Sequence, residues 1–147
     1  MLRHRSRLRI VLLGAIAALS TGGCGGQGPK LYSVSGTLTH NGKPLPNMGV
    51  TFLPVDGARP SLGMTDANGR FTLQYTADRQ GARGGEHVVA VSYLPLAPDE
   101  LAAYGAGKRD FLPADIKAVL EKYGNQDTSP CRVTITSNVA NLEVKLD

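Results

Sequence analysis

The chain has 147 residues, which suits a single domain. Its formal net charge of +4 comes from Arg3, Arg5, Arg7 and Arg9, and without them 12 basic residues balance 12 acidic ones. Without these arginines the chain is close to neutral and carries charges of both signs. Proteins that bind nucleic acid or anionic membrane surfaces usually have a basic patch, so the charge sum argues against both of these classes.

The first 23 residues have the three-part layout of an export signal. A basic segment (1–9) is followed by an apolar segment (10–19) and by small residues at 20–23. The apolar segment has about ten residues, whereas a helix that spans a membrane needs roughly 20. We therefore predict a signal peptide over residues 1–23 that is removed from the mature protein.

Cys24 follows directly after these small residues. This order resembles a bacterial lipoprotein signal, which implies that Cys24 is diacylated and becomes the first residue of the mature chain. Such signals usually carry Leu or another aliphatic residue three positions before the cysteine, where this chain has Thr21. An ordinary secretory signal cleaved after Ser20 is the alternative. Residues 24–30, rich in glycine, are expected to form the lipidated N-terminus and a flexible tether.

Beyond the tether, apolar and polar residues alternate as they do in half-buried strands. The first four predicted strands cover residues 31–39, 48–53, 61–65 and 70–76. Asn41 and Gly42 supply a turn between the first two strands.

Residues 66–69, Asp-Ala-Asn-Gly, predict a tight turn that makes a β-hairpin of the third and fourth strands. Asp66 and Asn68 also suggest a calcium loop, since spaced carboxylate and amide oxygens suit that ion. An EF-hand needs three such donors before its glycine and a glutamate six residues after it, where this chain has Tyr75. The turn explains these residues without a metal.

Residues 78–85 contain three glycines and no apolar side chain larger than alanine, which predicts an exposed, mobile connection. The fifth predicted strand, residues 86–94, has apolar residues on both faces. We expect it to be a central strand or to be covered by the segment that follows.

Residues 95–129 interrupt the strand pattern. A short helix is predicted over 98–104, and a better one over 113–123, where apolar residues recur at helical spacing. Tyr104 and Tyr123 are expected to present exposed aromatic surface. This helical insertion exceeds what a small sandwich requires, and we predict that it contacts an envelope protein.

Two further strands are predicted at residues 131–136 and 142–146. Cys131 shares its face with Val133 and Ile135, so it is read as a small buried hydrophobic residue, with a reactive or intermolecular thiol as the alternative. The predicted fold class is all-β: a Greek-key β-sandwich of about seven strands, with a short helical insertion between the fifth and sixth.

Several segments resemble a carboxypeptidase regulatory-like domain, a transthyretin-like β-sandwich found in many exported bacterial proteins. The resemblance covers residues 31–147 apart from the insertion, and it rests on the segments 34–39, 41–46, 50–54, 65–73 and 85–92. It implies a transthyretin-like or immunoglobulin-like fold and an accessory, adhesive or folding-support role. This chain has His87 where the family often has an aromatic residue, and Cys131 where it has an aliphatic one.

Candidate catalytic and metal sites find little support. A zinc site needs three or four convergent ligands, and His40 and His87 are the only histidines after the signal. Hydroxyisourate hydrolases share the transthyretin-like architecture but end in Tyr-Arg-Gly-Ser, whereas residues 143–147 read Glu-Val-Lys-Leu-Asp. We therefore predict no metal, no cofactor and no enzymatic activity.

The expected function is that of an exported, non-catalytic module, lipid-anchored to the bacterial cell membrane or outer membrane. Its partners would be the membrane, through Cys24, and an envelope protein, through residues 95–129; nucleic acid is not expected. The alternatives are a carbohydrate-binding module, which lacks tryptophan for a sugar platform, and a cryptic hydrolase at one end of the sandwich, which requires His40 or His87 to meet acidic residues in a pocket.

Overall fold

A computed structural model describes residues 28–147, and within them the alternating segments form strands. The predicted signal peptide and Cys24 lie outside the described residues. The elements are β1 (Leu31–Tyr32), β2 (Val34–His40), β3 (Lys43–Pro44), β4 (Met48–Pro54), β5 (Ser61–Met64), β6 (Arg70–Thr72), β7 (Gln74–Thr76), β8 (Arg79–Gln80), β9 (Ala82–Arg83), β10 (Gly85–Tyr93), α1 (Pro98–Gly105), α2 (Ala114–Tyr123), β11 (Arg132–Ile135) and β12 (Val139–Lys145).

The strands form two main sheets, as expected for an all-β sandwich. The larger sheet has the order β11-β10-β4-β5-β7-β8. In the smaller sheet β2 is central: β12 pairs with it in parallel, and β3 and β6 pair with it antiparallel. A separate pair joins β1 to β9.

The core lies between the sheets because alternate side chains of each strand point inward. Val34 and Leu38 of β2 face Val50 and Phe52 of β4, and all four are almost fully buried. Phe52 and Phe71 have ring centroids 6.0 Å apart. The strand periodicity predicted from the sequence therefore places the apolar residues correctly.

The turn at residues 66–69 has the predicted structure. Asp66 accepts hydrogen bonds at its side chain from the backbone amides of Asn68 and Arg70, and Gly69 has a φ of +69°, a conformation that glycine adopts without strain. The simple hairpin is wrong, however. β6 leaves β5 to pair with β2 of the other sheet, and the chain pairs again with β5 only at Gln74.

The prediction of an exposed, mobile connection at residues 78–85 is also wrong. This segment forms β8 and β9, and Ala82 is fully buried. Gly81 explains the difference, because a Cβ atom at this position would lie 2.2 Å from the carbonyl oxygen of Tyr32. The glycine therefore allows two strands to approach closely, as glycines inside strands often do.

The fifth predicted strand corresponds to β10, which is central as expected. β4 pairs along its length on one side, while β11 pairs only with residues 85–88 on the other. The insertion follows β10 and precedes β11, and α2 packs against β10. Both predicted helices are confirmed, and the insertion closes part of the sandwich.

Candidate interaction surfaces

α2 belongs to the core of the protein. Its spacing places Ile116, Val119 and Tyr123 on one face, and all three are buried. The Tyr123 hydroxyl donates a hydrogen bond of 2.7 Å to the backbone carbonyl of Asp147, which also accepts one from Lys122 Nζ. The expectation that Tyr123 presents exposed surface is therefore wrong.

α1 differs because none of its side chains is buried. Pro98 opens the helix, and Asp99 and Glu100 in the first turn favour its positive end. A helix of eight residues has little stability by itself, so contacts from elsewhere in the chain must hold it in place.

An aromatic cluster of Tyr93, Tyr104 and Phe111 supplies these contacts. The ring centroids lie 6.2 to 6.5 Å apart in tilted or edge-on arrangements, which suit aromatic pairs. Tyr93 ends β10, Tyr104 lies on α1 and Phe111 lies between the two helices. The cluster therefore joins the end of the sheet to α1 and to the segment between the two helices.

Polar contacts fix the same cluster. The Arg109 guanidinium lies 3.6 Å from the centroid of the Tyr104 ring and donates a hydrogen bond of 2.9 Å to the Tyr104 carbonyl. The Tyr93 hydroxyl lies 3.3 Å from Glu100 Oε2. Burial, and then the nearby Glu100 carboxylate, raise the pKa of Tyr93, so its hydroxyl remains a donor at neutral pH.

Two large apolar side chains on this part of the insertion face solvent. Leu96 is 71% exposed and Leu101 is 60% exposed. A single exposed leucine is ordinary, but here both accompany a helix that buries nothing of its own. We call Leu96, Leu101 and the adjoining exposed side of α1 the α1 surface.

The α1 surface and the point where the chain enters the fold lie at opposite ends of the sandwich. The chain enters the fold at β1, which pairs with β9. β9 comes shortly before Gly85, the first residue of β10, so the chain enters near the start of β10. The insertion begins after Tyr93 at the end of β10. A strand of nine residues spans about 26 Å, so this distance separates the two ends.

A groove of about 910 Å³ opens where β6 diverges from β5. Leu62 and Met64 are exposed at its side, and Asp66 and Arg70 lie among its lining residues. Several hydroxyl side chains are also among the lining residues: Ser35, Thr37, Thr51, Thr72 and Ser92.

The two histidines of the described residues do not converge. His40 Nδ1 contacts the carbonyl oxygen of Leu146, and its Nε2 lies 3.0 Å from Asn41 Nδ2. His87 is fully buried on β10, with Nδ1 3.0 Å from the Gly85 carbonyl; among residues 28–147, its Nε2 has no hydrogen-bond partner. Burial lowers the pKa of His87, although its hydrogen bond to Gly85 opposes this effect.

Cys131 is half-buried and packs against the core, in agreement with its reading as a small hydrophobic residue. Burial raises the pKa of its thiol, which disfavours the reactive thiolate. Within residues 28–147, no three His, Cys, Asp or Glu side chains cluster closely enough to hold a metal ion. In the same part of the chain, no helix has the length and apolar character needed to cross a membrane.

Comparison with known proteins gives no relative: no family model, curated protein or solved structure matches this chain. The candidate surfaces must therefore be judged from their own geometry. Sequence reasoning identified Tyr104 but missed the contributions of Phe111 and Arg109. The signal was weak, because only the fold reveals that Tyr93 and Phe111 meet.

Proposed function

We propose that this protein is an exported, lipid-anchored and non-catalytic module of the bacterial cell envelope that binds another protein through its α1 surface. Cys24 would carry the lipid at one end, and the α1 surface would face away from the membrane. The opposite placement of these two ends is the observation that supports the proposal most strongly. An anchored adaptor needs its attachment and its binding surface apart, so that both can be used at once.

We propose that the domain is of the carboxypeptidase regulatory-like kind, and the order of its strands supports this proposal. The strand segments combine into seven longer strands when β1 is joined to β2 and β6 to β7, with β3, β8 and β9 as short additions. The chain crosses between sheets at β6, and β12 returns beside β2. We propose that this arrangement is a Greek-key sandwich of the transthyretin-like kind.

The anchor can be tested by measuring the intact mass of the protein purified from membranes of a bacterial host. We expect the mass of a chain that begins at Cys24 and carries acyl groups, and we expect Cys24→Ser to be released from the membrane fraction. Each buried methylene contributes about 0.8 kcal/mol to membrane binding, so loss of the acyl chains should be decisive. A mature chain without acyl mass would contradict the anchor.

The binding role can be tested by placing a photo-crosslinking amino acid at Leu101 of the anchored protein in living cells. We expect a discrete crosslinked product that disappears when Leu96 is replaced by serine. The matched control carries the crosslinker at Leu62, which is exposed at the groove. The α1 surface would lose its proposed role if both positions gave the same products, or if neither gave any.

Replacement of the whole insertion is not a valid test in this protein. α2 and Leu112 contribute buried side chains to the core, so their removal would unfold the domain. Substitutions confined to Leu96 and Leu101 leave these contacts intact because neither side chain is buried.

A further inference from the structure

The end of the sandwich where the chain enters carries an unusual arrangement of basic and aromatic side chains. Arg59 and Arg79 both lie 5.8 Å from the centroid of the Tyr75 ring, and Lys30 Nζ lies 5.0 Å from the centroid of the Tyr32 ring. These distances fall within the range of cation–π contacts. We call Lys30, Arg59 and Arg79, with their two tyrosines, the basal patch.

Backbone contacts hold the basal patch together. Arg79 donates a hydrogen bond of 2.7 Å to the Pro29 carbonyl, and Arg59 donates one of 3.0 Å to the Tyr75 carbonyl. Lys30 and Arg79 also line one shallow depression beside residues 28–31. The three cations are therefore held at one place on the surface, next to the tether.

Within residues 28–147, the acidic residues at this end form no ion pair with Lys30, Arg59 or Arg79. Asp56 lies 3.5 Å from Arg83, and Glu86 lies 3.8 Å from Arg132. Asp78 is exposed and accepts a hydrogen bond of 2.7 Å from the Thr76 hydroxyl. This hydrogen bond and, to a lesser degree, the charge of the neighbouring Arg79 lower the pKa of the Asp78 carboxyl. The cations of the basal patch are thus left available to an external anion.

The charge of the folded domain is polarised although its sum is zero. The basal end holds five basic and three acidic residues: Lys30, Arg59, Arg79, Arg83 and Arg132 against Asp56, Asp78 and Glu86. Of the 12 basic and 12 acidic residues of the domain, seven basic and nine acidic ones remain for the rest. One end therefore carries two excess positive charges and the rest two excess negative charges. The sequence sum conceals this separation and led to the expectation of no footprint for an anionic membrane.

Val55 adds an apolar side chain at the same end. It lies in the loop after β4, is 58% exposed, and its amide donates to the Glu86 carbonyl near the start of β10. Cationic side chains beside tyrosines and an exposed aliphatic residue are the combination that suits the interface of a membrane.

We propose that the basal patch docks on an anionic phospholipid surface. The inference rests on the proposed anchor at Cys24 for its setting. Only six residues separate Cys24 from Leu31, so an extended tether of about 25 Å or less keeps this end near the lipid. Docking fixes the orientation of the domain, with the α1 surface pointing away from the membrane.

The absence of native tryptophan offers a direct probe. In the full-length protein, Val55→Trp places a single tryptophan at the basal end, and Leu96→Trp places one at the opposite end. Each protein is mixed with vesicles of brominated phosphatidylcholine containing either 30% phosphatidylglycerol or none. We expect fluorescence quenching at position 55 only with phosphatidylglycerol, reversed by high salt, and none at position 96.

Two charge variants of the Val55→Trp protein complete the test. Lys30→Gln, Arg59→Gln and Arg79→Gln together remove the basal cations; Lys43→Gln, Lys108→Gln and Lys117→Gln remove as many elsewhere. At low salt the first set should raise the lipid concentration for half-maximal quenching on the order of a hundredfold, and the second should leave it unchanged. Equal effects of both sets, or equal quenching at positions 55 and 96, would overturn the proposal.

The same measurement on the Cys24→Ser chain separates docking from anchoring. If Cys24 is acylated, the Cys24→Ser substitution should increase the lipid concentration for half-maximal quenching. The difference between the two charge variants should remain. If the anchor proposal fails, the protein with its native Cys24 and the Cys24→Ser variant should need the same lipid concentration for quenching. The two charge variants then still decide whether the basal patch docks.

Discussion

The two helices of the insertion are close in sequence but have different relations to the fold. α2 buries Ile116, Val119 and Tyr123 and contacts Asp147, whereas α1 buries no side chain and depends on the aromatic cluster. The difference indicates that one insertion contains two parts. One part completes the sandwich, and the other is held against it with Leu96 and Leu101 exposed to solvent.

The largest expected effect is on the stability supplied by α2. Tyr123→Ala should lower the free energy of unfolding by about 3–5 kcal/mol, because it leaves a cavity and removes the hydrogen bond to Asp147. Tyr104→Ala on α1 should cost less than half as much. Urea unfolding followed by circular dichroism measures both, and similar losses would show that the two helices do not differ as described.

Acidification should affect the core next, through His87. Because its pKa is lowered in the folded state, the unfolded chain binds a proton first as the pH falls. Above the unfolded pKa of about 6.5, His87 therefore does not lower the free energy of unfolding. Below this pH, the free energy of unfolding should decrease by up to about 1.4 kcal/mol per pH unit, until His87 is protonated in the folded state as well.

Urea unfolding between pH 7.5 and pH 5.5 measures this dependence. His87→Phe should flatten it, since the ring would remain beside Phe52 without a titrating group. The other charged groups near His87 are Asp56 and Arg83. An unchanged slope in His87→Phe would assign the effect to another group.

The smallest effect should be confined to α1. Arg109→Ala removes the contact with Tyr104 and should speed hydrogen exchange of the α1 amides about two- to fivefold, as a cation–π contact of about 0.5–1 kcal/mol implies. Global stability should change by no more than about 0.5 kcal/mol. Lys108→Ala is the matched control on an exposed neighbour, and equal exchange rates in the two variants would remove the role of Arg109.

These contrasts also show which features local sequence patterns predict. Alternation identified β2 and β4, because each has one face on the core and the period of two is a local property. Apolar residues on both faces identified β10 as a central strand. The helical spacing of Ile116, Val119 and Tyr123 likewise defines one face. The spacing also holds for Tyr123, but the prediction that its ring is exposed is wrong. A tyrosine suits both the surface and a buried site where its hydroxyl finds a hydrogen-bond partner.

Features that depend on distant contacts were missed. Ala82 lies in a glycine-rich segment that resembles a loop, and only the approach of Tyr32 shows why Gly81 is needed there. The basal patch unites Lys30 with the distant Arg79, which bonds to the Pro29 carbonyl. The aromatic cluster requires the chain to fold Phe111 back onto Tyr93. The fold class was therefore accessible from the sequence, whereas the composition of both surfaces was not.

The parallel pairing of β12 with β2 has a consequence for the order of folding. Ser33, next to β2, and Asn138, next to β12, are hydrogen-bonded although they are 105 residues apart. The central strand of the smaller sheet thus gains its second neighbour only after nearly the whole domain has been synthesised. Such distant contacts slow folding. Slow folding would suit the export proposed above, because a translocation channel accepts an unfolded chain.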